Sequence, residues 1–292
     1  PGWCVRLWPE REQWNRAAQE LPEVRRLDLA EVILTLKAAG VQDLRAFRWL
    51  EPPDELSLSR AETLLHDLGA LDARGVITPT GRKMLAFPVH PRYARMLLAA
   101  EQYGCVRQAA LIAALTQGRD LLLRKVDREV EEFREDLFGE EHDSDFWVLM
   151  RAWNYVAKNQ FNLNACRRVG VHGITARQVQ PLLEMFLDIA HGEGLRIDHP
   201  MPEDEKIRKC VLVGFSDRLA KRLDQGSLRC VLSHGRFGLL SRESVVQNAP
   251  FFVAAEISEI EGRDKSVSTL LSLGTAVETS WLEELYPDEI ET

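Results

Sequence analysis

No run of about eighteen apolar residues, the length a membrane-crossing helix needs, occurs in this 292-residue chain. The opening Pro1-Gly-Trp-Cys-Val-Arg lacks the charged-then-apolar layout of a secretion signal. Membrane insertion and export are therefore excluded as expectations, and a cytoplasmic protein is expected. Cysteine is sparse: five residues, Cys4, Cys105, Cys166, Cys210 and Cys230, with no Cys-x-x-Cys pair and no dense spacing. That pattern excludes a recognisable zinc site or disulfide framework and leaves reduced, buried thiols as the simplest expectation. His142, His172 and His191 each stand far from a second ligand, so no metal is expected. A Gly-x-x-x-x-Gly-Lys-Ser/Thr loop is also missing. Gly262-Arg-Asp-Lys-Ser echoes its end but lacks the second glycine before the lysine. With no Ser/His/Asp set at a known spacing either, the chain is expected to hydrolyse no nucleotide by itself and to need no cofactor.

What is present is ordinary globular composition, 45% hydrophobic and 28% charged, enough for one large domain or two to three small ones. The net charge of -8 is unevenly spread. Ten acids lie between Asp127 and Asp145, and no Lys or Arg follows Glu278. Between them Lys206, Arg208, Lys209, Arg218, Lys221, Arg222, Arg229, Arg236 and Arg242 outweigh nearby acids. Nucleic-acid phosphates would be neutralised there; the alternative is a solvated helix face and strand edge.

Helices come first. Asp28 and Glu31 have capping-box spacing ahead of a stripe of Leu29, Val32, Ile33 and Leu36 that ends at Gly40. Ser59 and Glu62 repeat that spacing ahead of Leu64, Leu65 and Leu68, with Gly69 as C-terminal cap. The segment from Leu71 to Ile77 has the layout of a small hairpin, and another helix begins at Thr80. Helices plus hairpin make a winged helix, expected over 26–90. A winged helix can read a DNA groove, but its Ser59–Leu68 helix offers only Arg60 and His66 against Glu62 and Asp67. A docking role is the stronger reading.

A helical bundle is expected over 91–203. Pro91 suits a first turn, Gly104 closes its helix, and further helices are predicted at 106–115, 123–138, 145–157 and 175–190. Phe146, Trp147, Trp153 and Phe161 read as core, with base stacking the alternative. Over 204–292, one last helix carries Ile207, Val211, Phe215 and Leu219, followed by five short strands near 228–233, 238–240, 244–246, 251–260 and 267–273. Five strands in so short a span suit a small barrel of oligonucleotide-binding type, which takes single strands on one face and in its loops. Arg229, His234, Arg236, Arg263 and Lys265 are its candidate contacts, or else ordinary exposed charges. The fold class is thus mainly α with a small all-β domain.

Phe47-Arg-Trp-Leu-Glu-Pro-Pro-Asp-Glu, Leu68-Gly-Ala-Leu-Asp, Ile77-Thr-Pro-Thr-Gly-Arg and Phe87-Pro-Val-His-Pro-Arg, taken in order, resemble the region of DEAH-box RNA helicases that follows their two motor domains. Pro1 to Trp8 resembles the strand closing the second motor domain, which sets residues 1–25 apart as its end and linker. Phe161-Asn-Leu-Asn with Arg167-Arg168 resembles a segment of the ratchet domain, and Val213-Gly-Phe-Ser-Asp-Arg-Leu-Ala resembles the helix leading into the barrel. Leu232-Ser-His-Gly-Arg-Phe-Gly-Leu-Leu and Phe252-Val-Ala-Ala-Glu-Ile are similar to the bacterial HrpB-type branch. The resemblance implies an accessory module that engages single-stranded RNA, or alternatively DNA, with the two RecA-like motor domains of the same protein as partners. ATP and magnesium are expected only in those motor domains. Charge adds Arg167, Arg168 and Arg177 as candidate contacts in the helical part. The rival reading is a protein-binding scaffold whose acidic helix and tail engage a basic partner.

Overall fold

The computed structural model describes all residues except 1, 17–18, 21, 27, 139–142, 198–201, 262–266 and 288–292. The expected opening strand is absent among the described residues. Residues 2–6 carry no regular structure, and Trp3, Val5 and Leu7 are exposed with no neighbouring strand to take their backbone bonds. A short helix α1 (Glu10–Asn15) and a 3-10 turn (Glu23–Arg25) follow.

The winged helix is built by its punctuation. Asp28 Oδ1 accepts from Ala30 N at 2.9 Å and opens α2 (Ala30–Ala38), an Asx-type entry rather than the expected box with Glu31. The second predicted cap is displaced. α3 (Glu55–Asp67) starts at Asp54, whose carboxylate accepts from Ser57 N at 2.8 Å, so Ser59 and Glu62 lie inside the helix. Pro52 and Pro53 block earlier helix and leave Asp54 as the first usable cap, while three-residue spacing also places Ser59 and Glu62 on one helical face. Gly69, at φ +66°, ends α3, with Gly69 N bonded to His66 O and Ala70 N to Leu65 O, the paired bonds of a glycine-closed terminus. The hairpin shrinks to one antiparallel bridge, Leu71 to Ile77. α4 (Pro79–Met84) begins one residue before its expected start at Thr80, because Thr78 Oγ1 accepts from Gly81 N and caps it. Gly81 does not shape a turn. It lies in α4 where an added Cβ would meet Ala70 O at 2.3 Å, so the absence of a side chain lets helix and wing touch.

Helices α5 (Pro91–Tyr103), α6 (Val106–Leu115), α7 (Arg128–Phe138), α8 (Asp145–Lys158), α9 (Leu163–Val169), α10 (Gly173–Gly192) and α11 (Asp204–Gly214) form the bundle. α5 packs along α11, and α6 along α10. α7 begins five residues later than predicted because Leu123 N bonds to Gly170 O and Leu122 bridges to Val171. α9 was not predicted; Asn162 caps it and Gly170 ends it at φ +62°. Its seven residues are too few to show a period.

The barrel has five strands, β1 (Leu219–Arg222), β2 (Arg229–Leu232), β3 (Phe237–Leu240), β4 (Phe251–Glu261) and β5 (Val267–Ala276), closed in the order β1-β2-β3-β5-β4. All pairs are antiparallel except β3 with β5. Two expectations are corrected. Leu219 belongs to β1 rather than to α11, which stops at Gly214, and 244–246 forms a turn between strands. Ser244 and Val245 spend their polar groups on Asp145 instead of on a ladder. α11 is also not the last helix, since α12 (Thr279–Leu285) follows the barrel and buries Trp281.

One continuous apolar core runs from Leu29 to Trp281 through the winged helix and bundle, with Phe146, Trp147 and Trp153 buried in it and Phe161 packed against it. A second core, including Phe252, Leu271 and Cys230, fills the barrel. Cys105, Cys166, Cys210 and Cys230 are buried free thiols, and Cys105 Sγ lies 3.2 Å from Cys210 Sγ. Cys4 departs from the expectation and is exposed.

Candidate nucleic-acid interface

Four of the nine cations in the basic stretch are engaged inside the fold. Arg208 lies 3.6 Å from both Asp143 and Glu278 and stacks over Trp281, 4.7 Å from its ring centre. Lys209 Nζ reaches Glu284 at 2.7 Å and Glu205 at 3.0 Å. Arg218 is buried against Ala255 O, and that burial lowers its pKa to about 10. Arg222 points into the barrel and donates to the carbonyls of Ala249, Val246 and Ser227, tying β1 to the turns beside it. A guanidinium committed to buried acceptors has no free face for a phosphate. Part of the positive charge of the stretch is thus spent inside the fold, while Lys221, Arg229, Arg236 and Arg242 stay exposed.

What remains outside is the face of β1, β2 and β3 that alternation turns to solvent. Ala220, Arg222, Cys230, Leu232, Gly238 and Leu240 are buried, while Lys221, Arg229, Phe237 and Leu239 are exposed. The register aligns them in rows: Phe251, Lys221, Val231 and Phe237 in one, Arg229, Leu239 and Leu270 in the next. Phe237 is 64% exposed and Leu239 41%. Lys221 Nζ sits 5.9 Å from the Phe251 ring centre. An open aromatic ring within two strands of two unburied cations can take a base on the ring and a phosphate on the charges. His234 is exposed in the β2–β3 turn, which Gly235 closes at φ +75°. Burial and nearby Asp217 push the Asp67 carboxyl upward.

The other expected contacts are scattered. Arg236 is tied to Glu259 at 2.6 Å and Thr269 at 3.1 Å. Arg263 and Lys265 lie outside the described residues. Arg167 is exposed at the end of α9, and Arg168 lies over the Phe133 ring at 4.2 Å. Arg177, on α10, donates to Phe161 O at 2.9 Å. Thus Arg229 and His234 share the β2–β3 hairpin, whereas the three bundle arginines form a separate group beside α7 and α9. Sequence reasoning missed Phe237 and counted Lys221 only within the basic stretch. The signal for Phe237 was an aromatic at an outward position of Arg236-Phe237-Gly238-Leu239, legible once Leu240 is fixed as inward.

The barrel is seated on the rest of the chain by two polar seams. Asp145, first residue of α8, accepts from Val245 N at 2.8 Å, Ser244 Oγ at 2.8 Å and Gly274 N at 2.6 Å, and Ser144 Oγ meets Thr275 Oγ1 at 2.8 Å. Across the winged helix, buried Arg92 binds Asp217 in bidentate fashion at 2.6 and 3.0 Å and lies 3.6 Å from Asp28. His90 reaches the same Asp28 at 3.3 Å. Burial works against the Asp28 charge, but hydrogen bonds from His90 and Ala30 N and the charges of His90 and Arg92 hold its carboxyl well below the usual range. Among the described residues no cluster of His, Cys, Asp and Glu could hold a metal ion, and no helix is long and apolar enough to cross a membrane.

Comparison with known proteins gives two family matches: Helicase associated domain (HA2), winged-helix, over residues 61–89, and Helicase associated domain (HA2), ratchet-like, over residues 90–149. ATP-dependent RNA helicase HrpA of Escherichia coli (strain K12) is 27% identical over 270 residues, covering 88% of this chain and 21% of that protein. A probable ATP-dependent RNA helicase DHX35 homolog of Caenorhabditis elegans is 27% identical over 301 residues, covering 98% of this chain and 39% of its own length. An ATP-dependent RNA helicase HrpA homolog of Haemophilus influenzae is 24% identical, with 97% and 22% covered. The chain therefore spans between about a fifth and two fifths of the relatives it matches. Residues 61–149 thus match the winged-helix and ratchet-like parts of the helicase associated domain, and the chain is similar along nearly its whole length to ATP-dependent RNA helicases.

Proposed function

We propose that this chain is the single-strand-engaging accessory module of an ATP-dependent DEAH-box helicase, of the bacterial HrpB-type branch. Within it, residues 1–25 are linker, 26–90 the winged helix, 91–203 the ratchet and 204–292 an oligonucleotide-binding barrel. The observation that carries this reading is the outward face of β2 and β3, where exposed Phe237 stands near Arg229 and Lys221. A five-stranded barrel closed in the order β1-β2-β3-β5-β4 supports an oligonucleotide-binding reading, in which the β2–β3 face and flanking loops would take the strand. His234, Arg236, Arg263 and Lys265 extend this surface, and Arg167, Arg168 and Arg177 guide the strand along the bundle. RNA is the natural ligand, with DNA the alternative. The RecA-like motor domains are the intramolecular partners and supply ATP and magnesium chemistry. The exposed Trp3, Leu7 and Trp14 suit burial against such a partner. The setting is cytoplasmic.

The test is a titration of a labelled single-stranded oligonucleotide at several salt concentrations. Binding that weakens steeply with salt, and weakens again in Phe237→Ala, supports the reading. Absence of binding at low salt, or salt-independent binding, defeats it. Failure would favour the protein-binding scaffold, for which the exposed acids Glu129, Glu131, Glu132, Glu135 and Asp136 of α7 are the supporting observation.

A further inference from the structure

Away from the barrel, a cleft of about 260 Å³ opens between α6, α8, α10 and α11. Its inner wall is aromatic and aliphatic, with Trp147 and Trp153 from α8, each at most 7% exposed, and Leu183 from α10. Its rim is rich in donors: Arg107 and Gln108 from α6, Asn154 and Arg151 from α8. Arg151 donates one N–H to Phe138 O. Arg107, Gln108 and Asn154 have no side-chain partner among the described residues, and Asp204 is the one acid in the lining.

A second observation marks the cleft. Trp153 Nε1 is satisfied by Ala176 O at 2.9 Å, but the buried Nε1 of Trp147, a residue that lines the cleft, has no acceptor among the described residues. Buried polar atoms are nearly always paired, so this indole N–H is an open demand for an acceptor. Side-chain amides carry both a donor and an acceptor, which lets Gln108 and Asn154 answer the mixed edge of a base. An unpaired arginine at the mouth provides a counter-charge for a phosphate. The volume lies just below the usual range of ligand clefts, roughly 300 to 1,000 Å³, and suits one base rather than two.

We propose that this cleft binds a single nucleotide, its base toward Trp147, Gln108 and Asn154 and its phosphate at Arg107. The choice of ligand rests on the nucleic-acid reading above. The site itself is separate from the barrel face, so a strand held on Phe237 could place a splayed-out base here or a free nucleotide could enter alone.

The experiment titrates the full chain with each of the four nucleoside 5′-monophosphates, and separately with inorganic phosphate, by calorimetry and tryptophan fluorescence. Expected is saturable binding of at least one mononucleotide in the millimolar range or tighter, weakened about tenfold by Arg107→Glu and also weakened by Asn154→Ala. Both residues are exposed and without partners among the described residues, so neither change threatens the fold. Three results would overturn the proposal: no saturable binding, equal affinity in Arg107→Glu, or inorganic phosphate binding as tightly as every mononucleotide. If oligonucleotides bind the chain but mononucleotides do not, the cleft proposal fails alone. If mononucleotides bind and oligonucleotides do not, the barrel reading fails alone.

Discussion

Replacing Asp145 by Ala should loosen the barrel from the bundle. The carboxylate answers three donors at once, Val245 N, Gly274 N and Ser244 Oγ, none longer than 2.8 Å. With alanine the Ser244 hydroxyl can rotate to another acceptor, but the two backbone N–H groups cannot. Each buried unpaired donor costs about 1 to 3 kcal/mol, and relief from burying a carboxylate returns part of that, so a net loss of about 2 to 4 kcal/mol is expected. Asp145→Asn keeps one carbonyl acceptor and should lose about half as much. Burial raises the Asp145 carboxyl above its ordinary pKa and outweighs the hydrogen bonds that lower it. A raised folded-state value means the folded chain still holds a proton that the unfolded chain has released. The Asp145 contribution therefore falls as pH rises from the unfolded carboxylate pKa through the higher folded one, and the alanine variant should lack this slope. Urea unfolding across that window, with amide exchange at Val245 and Gly274, measures both effects. Unchanged stability and unchanged protection at these two amides in Asp145→Ala would refute the argument.

Phe237→Ala removes an exposed ring without disturbing the core, so single-strand affinity should fall about fivefold to a hundredfold with an unchanged unfolding midpoint, as fluorescence anisotropy and thermal melts would report. Gly81→Ala drives a methyl toward Ala70 O, 2.3 Å from the ideal Cβ, and should destabilise the winged helix by more than 1 kcal/mol in chemical denaturation, more than the same change at exposed Gly235. Asp28 has a depressed folded-state pKa, so its contribution is present above the unfolded carboxylate value and lost as pH falls toward the folded one; Asp28→Asn should flatten the acid limb of the stability profile. Arg236→Ala breaks an exposed ion pair with Glu259 and one hydrogen bond to Thr269, so its effect on stability should stay within about 1 to 2 kcal/mol, and a larger loss of oligonucleotide binding in this variant belongs to the ligand.

The family-bearing segments were legible because their local chemistry is strong. Gly69 ends α3, Pro91 opens α5, Gly104 closes it, and Val106–Leu115 is a helix at its predicted bounds. Each rests on a φ requirement or a period that a few neighbours fix. Errors cluster where two local signals compete or a segment is short: Ser59 imitates a cap that Asp54 already supplies, α9 is too short to show its period, and the 244–246 segment alternates like a strand while its polar groups are drawn to Asp145. The candidate contacts were the least legible part. Charge can be counted along a chain, but whether a guanidinium faces water depends on acceptors brought from elsewhere. Arg222, which donates to three carbonyls, and Arg229, seven residues later and exposed, are indistinguishable in sequence.

The sequence by itself determined the helical first two thirds, the small β unit after it and the relation to helicase-associated regions, because periodicity, caps and turns act over a few residues. Only the tertiary structure decided that the barrel closes with β3 beside β5, that Arg208, Lys209, Arg218 and Arg222 are spent on internal partners, and that Phe237 is left in the open. Those outcomes depend on strand register and on partners far along the chain, such as Asp145 and Gly274, 129 residues apart, where no local pattern reaches.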